Sequence, residues 1–173
     1  MINEQSTILT TLSQKLTNQR KNASNLLKIE LEQILSKMGM KDTLFKIELI
    51  NTDKFLLNGM DQLSFQFSAN KGGDFKLLKK IASGGELSRI MLAIKTILSR
   101  YKKLPTLVFD EIDSGVSGKI SGNIAEVMAN MSKKLQVFSI THLPQVAAKG
   151  DHHFKVEKSE QNGNCLLYTS DAA

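Results

Sequence analysis

The chain has a single cysteine, Cys165, among its 173 residues. It cannot close an internal disulfide and has no CxxC pair to hold zinc, so a reducing compartment is the expectation. It also lacks any apolar run near the roughly 18 residues a membrane-spanning helix needs, and its N-terminus lacks the basic-then-apolar order of a secretory signal. These absences point to a cytoplasmic protein with no membrane contact. What is present is ordinary for a globular chain: 41% hydrophobic and 23% charged residues, in a length sufficient for one domain with a core. The net charge of +6 is unevenly spread, since the window from Lys71 to Lys103 holds nine basic residues against two acidic ones, Asp74 and Glu86. Such a patch favours nucleic acid or nucleotide, although lysines taken singly most often make a solvated face.

Proline and glycine are missing from about Ser6 to Met38. There Ile8, Leu12 and Leu16, then Ala23, Leu27, Leu31, Ile34 and Met38, recur at three- and four-residue steps, which predicts a long helix. The polar break Asn18-Gln19-Arg20-Lys21-Asn22 and the light apolar content suit an arm or the end of a coiled coil better than a core helix. Gly39 is the expected stop. Phe45, Ile47 and Leu49, then Leu63, Phe65 and Phe67, alternate with residues that are mostly polar, predicting two strands of an antiparallel meander with Asn58-Gly59 between them. From Leu104 the pattern changes. Leu104 to Phe109 is a nearly all-apolar run, expected to be a strand covered on both faces of a parallel sheet. A helix follows with Ile120, Ile124, Val127, Met128 and Met131 on one face, then a second buried strand from Leu135 to Thr141. Strand, helix, strand is a βαβ unit, and open parallel sheets bind ligands at the carboxyl ends of their strands. Pro144 to Lys149 reads as one or two helical turns and Phe154 to Glu157 as a last strand.

Between these halves lies Ile81-Ala82-Ser83-Gly84-Gly85-Glu86-Leu87-Ser88-Arg89. Leu87, Ile90, Met91, Ile94, Ile97 and Leu98 form one face of a 3.6-residue period, so a helix starts at about Ser83. Ser83 and Glu86 have the spacing of a capping box. Two glycines in a first turn are costly, about 1 kcal/mol each relative to alanine. Bare backbone at a helix N-terminus also suits a phosphate, so a plain cap and an anion site both fit these residues.

The strand at Phe109 runs into Asp110 and Glu111, two carboxylates that need a partner if buried. A metal-phosphate site would supply one: Asp110 is suited to Mg²⁺, directly or through water, and Glu111 to orienting or deprotonating an attacking water. His142 at the next strand end could donate to a γ-phosphate oxygen. His152 and His153 lie in a polar stretch without a further ligand at a recognisable spacing, and read as loop histidines. Gly115-Val116-Ser117-Gly118-Lys119 imitates a phosphate-binding P-loop. The spacing fails, because that motif requires glycine where Asp113 stands and Ser or Thr where Ile120 stands. The chain has a hydrolytic rim but no phosphate cradle of its own.

Taken together, these residues resemble the ATP-binding-cassette ATPases. Ala82-Ser83-Gly84-Gly85-Glu86 is similar to their signature motif, Leu107-Val108-Phe109-Asp110-Glu111 to Walker B with the catalytic glutamate, Ser114-Gly115-Val116-Ser117 to the D-loop, and Thr141-His142 to the switch histidine. The wording of these stretches, including Val-Phe-Asp-Glu-Ile-Asp-Ser-Gly-Val-Ser-Gly and Thr-His-Leu-Pro-Gln-Val-Ala, is similar to a bacterial recombinational-repair branch related to the SMC proteins. The likeness is strong from about Leu63 to Lys158. It implies an α/β fold, the C-terminal half of an ABC-type ATPase head with a parallel βαβ core and antiparallel strands, preceded by a coiled-coil-like helix. The implied divisions are 1–40 for the arm, 41–158 for the head lobe, and 159–173 for a tail outside the family pattern that reads as a possible cloning or read-assembly scar. The implied cofactors are ATP and Mg²⁺, with Asp110 on the metal, Glu111 and His142 catalytic, and Ser83, Gly84, Gly85, Glu86, Ser114 and Gly115 on the nucleotide. In the family the signature glycines contact ATP held by an opposite head. The implied partners are the N-terminal half of the same head, which carries Walker A, a second head in a homodimer, and DNA, in nucleoid-associated double-strand-break repair. This chain alone is then expected to be inactive. One departure is Ser117, which stands where most transporters of the superfamily have aspartate. Two other readings remain: a non-catalytic DNA-binding or scaffolding module using the basic window and the arm, and a nucleotide kinase or GTPase using the 115–119 loop, which the spacing disfavours.

Overall fold

The computed structural model describes every residue except Met1, 79–83, Glu111, Ser117, 162–163 and 172–173, and describes Ile2, 157–161, 164–168 and Asp171 by backbone alone. The chain forms two compact units, 1–102 and 103–173.

The proline-free opening folds as one helix, α1 (Ile2–Lys37, 36 residues). Hydroxyls of Thr7, Thr10, Thr11 and Ser24 each donate to the carbonyl four residues back, which satisfies polar side chains without a tertiary partner. Gly39, with φ 84°, ends the helix. Its N–H donates to Ser36 O at 3.3 Å and that of Met40 to Leu35 O at 3.0 Å, the paired bonds of a Schellman stop. The two ends of α1 differ in burial. Ile8, Leu9 and Leu12 are about half exposed, whereas Leu31, Leu35 and Met38 are fully buried.

The apolar-polar alternation that follows gives β1 (Leu44–Leu56) and β2 (Gly59–Ser68), antiparallel in register from Leu44 against Ser68 to Asn51 against Asp61. The turn is Leu57-Asn58, closed by Leu56 against Gly59 at φ 111°. A short β3 (Lys76–Leu77) joins β2, also antiparallel. The sheet seats on α1 through Phe45, Phe65 and Phe67, whose rings lie 5.3 and 6.3 Å apart in the two pairs that include Phe45. Glu32 Oε1 accepts the Phe45 N–H at 2.9 Å.

The polar break in α1 has a structural use. Arg20 ion-pairs with the buried Asp61 at 3.0 Å, and its other terminal nitrogen donates to Asn58 O at 2.6 Å. Thr17 donates to Asp61 at 2.8 Å. The helix is thereby held at the hairpin turn.

The second helix is α2 (Gly84–Tyr101); its expected start at Ser83 lies outside the described residues. It packs on α1, with an Arg100–Glu30 ion pair at the edge. Its buried residues are Ile90, Leu92, Ala93 and Ile97; Leu87, Met91 and Leu98 of the expected face stay over a third exposed.

In the second unit, β4 (Thr106–Asp110), α3 (Lys119–Ser132) and β5 (Gln136–Ile140) form the expected βαβ unit. The strands are parallel, from Thr106 against Gln136 to Asp110 against Ile140. α3 buries Ile124, Ala125, Met128 and Met131 and packs on β5 and on α4 (Pro144–Ala147). Coverage differs from expectation. Phe109 points inward and is buried, but Val108, Phe138 and Ile140 on the other face are 64, 43 and 57% exposed. A parallel pair normally has both faces covered; among the described residues of this unit, these side chains on one face stay exposed. Beyond α4, β6 (Phe154–Gln161) and β7 (Asn164–Asp171) pair antiparallel, so residues 159–161 and 164–171 take part in regular backbone pairing.

Candidate functional site

Side chains along a strand alternate between faces, so Asp110 shares the uncovered face with Val108, and it is exposed. The parallel register puts it beside Ile140, two residues before His142. The carboxyl ends of both strands thus carry a candidate polar group on one rim. Ser83 and Glu111 lie outside the described residues.

Past Glu111 the chain makes a tight turn. Val116 N–H donates to Asp113 O at 3.3 Å, and Gly115 at the third position has φ 72°, the backbone a type II turn needs there and glycine supplies freely. Ser114 is exposed on this turn. Gly118, with φ 55° and ψ −126°, then enters α3 without a side-chain cap. Ser121 Oγ and Gly122 N–H both donate to its carbonyl, at 2.8 and 3.2 Å. The P-loop imitation is therefore a turn and a helix entry made of two positive-φ glycines, with Lys119 exposed in the first helical turn.

Two residues to which the sequence pattern assigned no site role join these loops. Asp113 is 1% exposed, and its Oδ2 accepts a hydrogen bond from Thr141 Oγ1. Thr141 Oγ1 in turn accepts the Leu143 N–H at 3.0 Å. Between them His142 is exposed. The available signal was an acid lying between Ile112 and Val116, which neighbouring residues can bury only with a partner.

In the other unit, Gly84, Gly85 and Glu86 form the first turn of α2. A Cβ on Gly84 would meet nothing within 4 Å, so close packing within the chain does not require glycine there. Glu86 acts on Arg89: burial pushes the guanidinium below its usual pKa and the Glu86 charge partly offsets this. Among the described residues no group of three or more His, Cys, Asp or Glu is arranged to hold a metal ion, and no helix is long and apolar enough to cross a membrane.

The fold is similar to part of the SMC head domains. The chain is similar to the SMC head domain of Pyrococcus yayanosii, with a TM-score of 0.63 at 21% identity, covering 88% of this chain and 28% of that one. A structure from a study of ATP-driven dimerization and DNA-stimulated activation of SMC ATPases matches at a TM-score of 0.52 and 22% identity, covering 88% of each chain. No family model matches. Full-length relatives narrow the assignment. The chain is 42% identical over 155 residues to the DNA repair protein RecN of Halalkalibacterium halodurans, covering 87% of this chain and 27% of that protein. It is 42% identical over 144 residues to RecN of Haemophilus influenzae, covering 83% and 26%, and 41% identical over 145 residues to that of Bacillus subtilis, covering 78% and 25%. Over the matched residues the chain belongs to the RecN family, and it spans about a quarter of its relatives' length.

Proposed function

We propose that the chain supplies the C-terminal part of an ATPase head in a RecN-type protein of DNA double-strand-break repair. The observation that carries this reading is the bare face of β4–β5. Val108, Phe138 and Ile140 are exposed beside Asp110 on a parallel pair, an arrangement that calls for a further layer. The N-terminal half of the same head, with its phosphate-binding loop, would bring that layer and the nucleotide.

Asp110 fits a Mg²⁺ ligand, because it is an exposed carboxylate at a strand end and Mg²⁺ takes one or two carboxylates beside substrate phosphates. When bound, Mg²⁺ would neutralise charge on the terminal phosphates of ATP. Glu111, next along the chain, takes the role of general base for the attacking water. His142 would donate to the γ-phosphate when ATP is bound. Ser83, Gly84, Gly85 and Glu86 offer the open amides of the α2 N-terminus to ATP on a second head, and Ser114 with Gly115 contacts the nucleotide at the same dimer interface. Exposed Lys76, Lys102 and Lys103 fit DNA contacts.

The test joins this chain to the rest of the protein. ATP hydrolysis should be absent for the chain alone and present for the joined protein. Glu111→Gln should then abolish turnover while ATP-dependent dimers persist. Full activity in that variant would remove Glu111 from the mechanism, and hydrolysis by the isolated chain would refute the half-site assignment.

A further inference from the structure

We propose that Asp113 is a positioning residue for His142, acting through the hydroxyl of Thr141. The inference rests on the ATPase reading above. Asp113 is 1% exposed, a degree of burial that a carboxylate tolerates only with a partner. Its Oδ2 accepts a hydrogen bond from the Thr141 hydroxyl, while Oδ1 is buried with no hydrogen-bond partner among the described residues. One side chain therefore concentrates its polar interaction on one hydroxyl. Thr141 passes the constraint on by accepting the Leu143 N–H at 3.0 Å. Leu143 is the N-cap of α4, with Pro144 behind it fixing the backbone. His142 is thus held between two pinned neighbours while its own ring stays at the exposed rim. The Asp113 carbonyl also accepts from Val116 and closes the turn that carries Ser114 and Gly115. A single buried residue consequently sets the geometry of both loops, at the ends of two different strands.

A buried carboxylate could serve stability alone, so the test separates stability from placement. In the full-length protein, Thr141→Val keeps the shape and loses the hydroxyl, whereas Thr141→Ser keeps the hydroxyl. Thr141→Val should lower kcat about tenfold to a hundredfold, the scale of a misplaced group, with KM little changed. Thr141→Ser should restore kcat to near the parent value. Asp113→Asn should behave like Thr141→Val. Equal activity in the Val and Ser variants would overturn the proposal, as would a loss in both that follows the thermal midpoint. If the parent protein hydrolyses no ATP, the functional reading itself has failed. The His142 ring resonances of the full-length protein, labelled at histidine, then decide the placement: a shift with Thr141→Val that Thr141→Ser does not cause supports it, and identical spectra refute it.

Discussion

The antiparallel sheet β1–β2 and the parallel pair β4–β5 meet the same need, covering an apolar face, with opposite results. The first lays Phe45 and Phe67 onto α1 and buries both. The second covers Phe109 but leaves Val108, Phe138 and Ile140 in solvent. A hairpin brings its partner strand and its helix from nearby sequence, whereas parallel strands need crossovers and layers on both sides. The difference lies in where the covering layer comes from: the hairpin finds it in adjacent sequence, and the parallel pair does not find it among the described residues of its own unit.

The largest test of that contrast puts a charge on each sheet. Val108→Asp or Ile140→Asp should abolish co-purification with the separately expressed remainder of the protein, since burying an unpaired charge costs several kcal/mol. Ile50→Asp, at an exposed hairpin position, should leave it intact. Equal loss from all three would erase the distinction.

A smaller effect separates the two ends of α1. Leu35→Ala should destabilise the chain by about 2–5 kcal/mol in urea unfolding, and Leu12→Ala by roughly 0.5 kcal/mol or less. Smaller again, Asp61→Ala should cost about 1–3 kcal/mol by removing the shared acceptor of Thr17 and Arg20, and should speed proteolysis of the first half of α1.

The least change compares two glycines. Gly59→Ala is strained at φ 111° with its Cβ 3.1 Å from Leu16, and should cost about 1–2 kcal/mol. Gly84→Ala meets open space and should stabilise α2 by about 1 kcal/mol or less. Its penalty should appear in ATP-dependent dimerisation. Calorimetry and light scattering measure the two effects separately.

Much of this fold was legible in the sequence because local chemistry decided it. Gly39 ended α1, Asn58-Gly59 marked the hairpin, and the switch from alternating to unbroken apolar runs marked the βαβ unit. What periodicity could not show was coverage, which depends on long-range partners. Leu87, Met91 and Leu98 have helical spacing, yet the buried stripe of α2 is turned toward Ile90, Ala93 and Ile97 by its contact with α1. The same holds at the rim: the spacing drew attention to Asp110 and His142, whereas the link through Asp113 and Thr141 spans two strands and appears only after folding. β7 was missed for a similar reason, because its register is set by pairing with β6.

The contacts that hold α1 also fix a direction. Glu32 grips the start of β1 and Arg20 grips the hairpin turn, two points separated by about 18 Å at 1.5 Å per residue. A rod clamped at one point can swivel, but one clamped at two cannot. The direction of the exposed first half of α1 is therefore set by the sheet, to which the Arg20–Asp61 contact is the last tie before that half begins.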